Sequence, residues 1–83
     1  MNYKHYIGID VSKLWLDFTV LKQSQILFQV QTENSLKGIQ SFIKKIKAEK
    51  DFQWEYSVFC MEHTGIYNNH LLDFFTKQKA NVC

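Results

Sequence analysis

Eighty-three residues fit one small domain or a piece of a larger one, and an apolar fraction of 46% with 16% aromatic excludes wholesale disorder. All ten basic residues are lysine, and a net charge of +2 is too small to identify a nucleic-acid partner by itself. Two cysteines, Cys60 and Cys83, are too few for a disulfide framework. The N-terminus lacks an apolar signal region and no stretch reaches membrane-spanning length, so a reducing, cytoplasmic setting is expected.

Residues 5–11, "HYIGIDV", read as a short strand. Residues 14–21 alternate: Leu14, Leu16, Phe18 and Val20 share one face, Trp15, Asp17, Thr19 and Leu21 the other. After the polar turn "KQSQ", Ile26, Phe28 and Val30 mark one face of a third strand that closes a hairpin. Asn34 or Ser35 caps a helix whose apolar stripe is Leu36, Ile39, Phe42, Ile43 and Ile46. Lys44, Lys45, Lys47 and Lys50 fall largely off that stripe and read first as a solvated face, with phosphate contact as the minority alternative.

The run "YSVFCME" has the pattern of a strand covered on both faces, with Cys60 as a small core residue. A second helix follows from Thr64, carrying Tyr67, Leu71 and Phe75 at spacings of four, and "ANVC" begins another strand. The order β-β-β-α-β-α-(β) predicts an α/β fold with a mixed sheet and helices packed on it. The chain stops as that last strand begins, so an incomplete domain is expected, with aromatic side chains at Phe74 or Phe75 exposed beside the unfinished strand.

Two strands end in acid, Asp10 after "YIGI" and Glu62 after "VFCM". A helical crossover delivers a parallel neighbouring strand, which would bring both acids to one edge of the sheet. Carboxylates brought together repel unless a cation lies between them, and a hard divalent ion such as Mg²⁺ or Mn²⁺ takes oxygen ligands of this kind. A lone acid at a strand end is more often a solvated cap. Asp17, opposite Phe18, reads as an exposed hairpin position and Asp73 as helix surface. In "MEHTGIY", Thr64 suits a helix cap and Gly65 a close backbone approach; the helix start beside Glu62 would offer free amides to a phosphate. His63, His70, Cys60 and Cys83 match none of the usual zinc spacings.

"YIGIDVSKLWLDFTVL" together with "CMEHTGIYNNHLLDFF" resembles the N-terminal part of the DEDD transposases of bacterial insertion sequences, in the insertion-sequence family numbered one hundred and ten, related to the pilin-gene invertase Piv. The paired signature is G-I-D-V-S-K and then E-x-T-G-x-Y some fifty positions later, and the likeness spans nearly the whole chain. It implies that residues 1–83 are the N-terminal portion of a RuvC-like, RNase H-type catalytic domain. It further implies Asp10 and Glu62 as catalytic and metal-holding residues, Mg²⁺ or Mn²⁺ as cofactor, and DNA cutting and joining as the activity. Lys13, Thr64, Gly65 and Tyr67 match motif positions that would shape the site or contact nucleic acid. The implied partners are the insertion-sequence ends and target DNA, an element-encoded RNA, and further copies of the full-length protein. The family's second acid pair and its serine-bearing C-terminal domain fall beyond residue 83. The isolated chain is therefore expected to bind metal weakly and not to cut DNA.

Actin-like sugar kinases and ATPases share a related β-β-β-α-β-α unit whose first strand also ends in "GIDxG". There, small residues crowd the following turn, which holds ATP phosphates. Here the turn reads "DVSKLWLD", with Leu14 and Trp15 close behind Ser12. A non-catalytic remnant or interaction module on the same fold is the third alternative.

Overall fold

Alternation decides which side of the hairpin is buried. In a computed structural model of the chain, which describes residues 3–61, 69–78 and 80–83, Leu16, Phe18 and Val20 are buried, whereas Trp15 and Asp17 on either side of Leu16 are exposed. They lie on β2 (Trp15–Lys22), which pairs antiparallel with β1 (His5–Val11) and with β3 (Gln25–Glu33). After α1 (Leu36–Lys47), the strand β4 (Ser57–Met61) returns parallel to β1; α2 (Asn69–Lys77) leads to β5 (Asn81–Val82), parallel to β4. The result is a mixed five-stranded α/β sheet in the order β3-β2-β1-β4-β5.

α1 buries its apolar face, and α2 its Phe75, on one side of this sheet. Ile39, Phe42 and Ile46 of α1 and Phe75 of α2 join Ile7, Ile9, Leu16, Phe18, Val20, Phe59 and Met61 in one core. Phe42 stacks on Phe18 with ring centroids 3.8 Å apart, and Phe75 stacks on Phe59 at 4.5 Å. Each such side chain contributes on the order of 1.5–3 kcal/mol by leaving water. Ser35 caps α1, its hydroxyl accepting from the Gly38 amide at 3.1 Å. Gly38 packs α1 so close to the end of β3 that a Cβ there would collide with the Glu33 carbonyl.

Several sequence expectations are corrected by the ladder. Val20 pairs with Phe28 but Leu21 pairs with Ile26, so Leu27 is an extra residue in β3. That bulge takes Ile26 off the face of Phe28, and Ile26 is 59% exposed. Leu14 lies before β2 and Leu36 begins the helix; both are exposed rather than core. Phe75 is fully buried and Phe74 half-buried, so neither is an exposed edge aromatic. The β2–β3 connection is a two-residue turn with positive φ at Gln23 and Ser24 (54° and 65°), the mirror-image turn that matches strand twist. The predicted start of the second helix lies outside the described residues, as do Tyr67 and the other positions from 62 to 68.

The cysteines are the largest correction. Cys60 and Cys83 form a disulfide, with Cα atoms 4.9 Å apart. The reason is register: β5 lies beside β4 with Val58 opposite Asn81 and Phe59 opposite Val82, so the next residue pair is Cys60 and Cys83. Cys60 is half-buried on the sheet face away from α1, not in the core. No helix among the described residues is long and apolar enough to cross a membrane.

Candidate functional site

The sheet face opposite the helices is where the acids collect. Asp10, the penultimate residue of β1, is exposed there, and its cross-strand partner on β2 is Asp17. Residues directly opposite one another in an antiparallel pair have neighbouring side chains, and two carboxylates in that position disfavour each other. One neutral donor is present: the Gln31 side-chain amide on β3 donates to Asp17 Oδ1 at 3.0 Å. Asp10 and Asp17 line an open concavity of about 540 Å³ together with Gly8, Thr19, Cys60 and Met61.

Gly8 shapes that concavity. It sits at the middle of a central strand, where glycine costs roughly 0.5–1 kcal/mol relative to alanine. No described atom lies within 4 Å of the position a Cβ would take, so packing does not require glycine there. A missing side chain with no described atom above it is the feature expected where something approaches the backbone closely.

β4 runs parallel beside β1 with Gly8 opposite Cys60 and Ile9 opposite Met61. The next residues in the two sequences are Asp10 and Glu62. Glu62, Thr64, Gly65 and Tyr67, all singled out from sequence, lie outside the described residues. Lys13 is exposed in the β1–β2 connection, three positions beyond Asp10. That connection is internally hydrogen-bonded. The Ser12 amide donates to the Trp15 carbonyl at 3.0 Å, and the Trp15 amide donates to Ser12 Oγ at 3.2 Å. From the β3–α1 connection, the Asn34 side-chain amide donates to the Ser12 carbonyl at 2.6 Å.

Asp17 is exposed, as its hairpin position predicts, while the sequence alone assigns Gly8 no role. Register places both beside Asp10. The signal for Gly8 was present in the sequence, as a glycine inside an apolar strand pattern. Carboxylates are hard oxygen donors suited to Mg²⁺ or Mn²⁺, and the open floor at Gly8 leaves room above them. Among the described residues, no cluster of three or more His, Cys, Asp or Glu side chains is placed to hold a metal ion.

No protein-family model matches the chain, and no curated protein matches it. Among solved structures, it is similar to a Bacteroides thetaiotaomicron protein described as having an actin-like ATPase fold and unknown function, at a TM-score of 0.73 and 14% identity. The match covers 99% of this chain and 32% of that one, so the chain spans about a third of the neighbour's length. At that identity the likeness shows the fold alone: the mixed sheet and its helices follow the same path as one part of an actin-like domain.

Proposed function

We propose that the chain is the front part of an RNase H-like, metal-dependent DNA transposase domain, in which Asp10 and Glu62 hold divalent metal. One observation carries this reading. β1, which carries Asp10, and β4, which ends just before Glu62 in sequence, are adjacent and parallel, and Ile9 is in register with Met61. The sequence signature supports it from a different direction, because it combines "GIDVSK" with "EHTGIY". Asp17 and the open floor at Gly8 add a second carboxylate and space at the same face.

The residues present suit a divalent ion. Asp10 would hold it, with Glu62 as the second ligand and Asp17 near enough in the ladder to tune the charge. When bound, such an ion supplies Lewis-acid stabilisation to the charge that develops on a phosphodiester in transfer. The chain's own part is to present Asp10 from a rigid central strand and to keep the floor clear at Gly8. Lys13, exposed at the same end of β1, supplies a positive charge for a phosphate.

The test is paramagnetic: Mn²⁺ added to isotope-labelled protein should broaden NMR signals around Asp10 and Glu62, and an Asp10→Ala variant should lose that effect. Broadening that is unchanged in Asp10→Ala defeats the assignment. The 83 residues alone should not cut DNA; robust Asp10-dependent nicking would show the site complete without further acids.

The fold likeness favours a second reading, an actin-like nucleotide-binding half-domain. Against it, the amides of Ser12 and Trp15 that a phosphate would need are already hydrogen-bonded within the turn, and Asn34 pins the turn from outside. Protection of this turn by ATP, with no Mn²⁺ effect at Asp10, would favour the nucleotide reading.

A further inference from the structure

On the helical side of the sheet, away from Asp10, α1 and α2 flank an open groove of about 400 Å³. Gln40, Ile43, Lys44 and Lys47 of α1 line it with Phe74 and Gln78 from the end of α2. We infer that this groove binds a single strand of nucleic acid, with Lys44 and Lys47 on its phosphates and Phe74 beneath a base.

Charge is the first argument. α1 carries four lysines and no acid over its whole length. Two lysines outside the groove are ion-paired: Lys22 with Asp51, and Lys77 with Asp73 at 3.1 Å. Lys44 has no ion-pair partner among the described residues, and Lys47 only lies over the Trp54 ring at 5.9 Å. The simplest use of such lysines is to offset the helix dipole, since they occupy the last turn of α1. The magnitudes leave a surplus. Each helix C-terminus contributes about half a negative charge, so two helix ends need about one cation, and the groove has two. Asp73, the nearest acid in sequence on α2, is exposed, already paired with Lys77, and does not line the groove.

The lining is the second argument. Lys44 and Lys47 are three positions apart on one helix, hence neighbours along the groove. Phe74 is half-buried, packed against the core and edge-to-face with Phe75 at 5.5 Å, and the rest of its side chain lines the groove. Gln40 and Gln78 add exposed amides that donate and accept. A cationic track with a fixed aromatic ring is how single strands are held without sequence preference: phosphates take the charge and any base can stack. An acidic peptide would use the lysines but offers no aromatic base to stack on the ring.

This inference does not rest on the metal-site reading, because it uses the other face of the sheet, and its test is run in EDTA. The probe is a fluorescein-labelled oligothymidine of twelve nucleotides, titrated by anisotropy against the 83-residue chain at several salt concentrations. Wild type should bind in a salt-dependent way, and oligouridine should bind equally, since phosphate and base face are common to both. The Lys44→Ala/Lys47→Ala double variant should lower the slope of log K against log salt by about 1.4, as expected for two contacts on a single strand. Lys4→Ala/Lys37→Ala, which removes the same charge outside the groove, should leave the slope unchanged. Phe74→Leu keeps an apolar side chain and should weaken binding about tenfold through lost stacking. No binding by the wild type overturns the inference, as does an unchanged slope in Lys44→Ala/Lys47→Ala. Equal affinity for a twelve-residue polyglutamate overturns it in favour of an acidic peptide.

Discussion

Asp10 and Asp17 are direct cross-strand partners in the β1–β2 ladder, on the face of the sheet that no described helix covers. Facing carboxylates disfavour the pairing that the rest of the hairpin enforces, so this pair is a place where the fold gives up stability.

The first prediction follows from that repulsion. Asp17→Asn keeps the shape, accepts a hydrogen bond from Gln31 through its side-chain carbonyl, and removes one of the two facing charges. In EDTA it should raise stability by about 0.5 kcal/mol, the scale of a like-charge cross-strand pair. In millimolar Mg²⁺ or Mn²⁺ the advantage should shrink or reverse, because the wild-type pair then has a cation. Chemical denaturation of both proteins with and without metal measures it.

Gly8 separates fold from function. No described atom crowds its strand position, so Gly8→Val should leave stability equal or raise it by about 0.5–1 kcal/mol through backbone entropy and strand preference. The same side chain would project into the concavity beside Asp10 and should abolish Mn²⁺ broadening there. A strongly destabilised Gly8→Val would show that the glycine is there for packing instead.

The bridge between Cys60 and Cys83 closes a loop across a sequence separation of 23 residues, and it anchors a strand of only two residues. Loop-closure entropy for that length is about 3 kcal/mol. Reduction, or a Cys83→Ser variant, should therefore cost roughly that much stability in urea denaturation. It should also increase amide exchange at the Cys83 amide, which donates to the Phe59 carbonyl.

His5 makes stability depend on pH. It is fully buried, its ring lies edge-on to Phe52 at 5.9 Å, and neither ring nitrogen has a hydrogen-bond partner among the described residues. Burial, aided by the nearby positive charge of Lys22, holds its pKa below the ordinary value, with Glu49 and Asp51 opposing. The folded chain thus prefers neutral His5. Its contribution is complete above the unfolded-state value of about 6.5 and is lost as pH falls through the lowered folded-state value. Denaturation midpoints should fall between neutral and mildly acidic pH, and His5→Phe should flatten that part of the profile.

What the sequence determined by itself was local. Alternation over Leu16, Phe18 and Val20 named the buried side of β2; the spacing of Ile39, Phe42, Ile43 and Ile46 named the buried stripe of α1; Asn34 and Ser35 bracketed its start, and Ser35 is the cap. Each of these is a periodicity or a cap readable within a dozen residues, and each survives in the folded chain. Only the tertiary structure decided the rest. A single extra residue at Leu27 turned Ile26 outward, because one step of register exchanges the two faces of a strand. Pairing of β4 with β5 joined Cys60 to Cys83, and pairing of β1 with β2 set Asp17 against Asp10. The groove between α1 and α2 likewise exists only because two separate helices pack on one face. These are relations between segments far apart in sequence, fixed by ladder register and helix packing, and neither leaves a local mark on the chain.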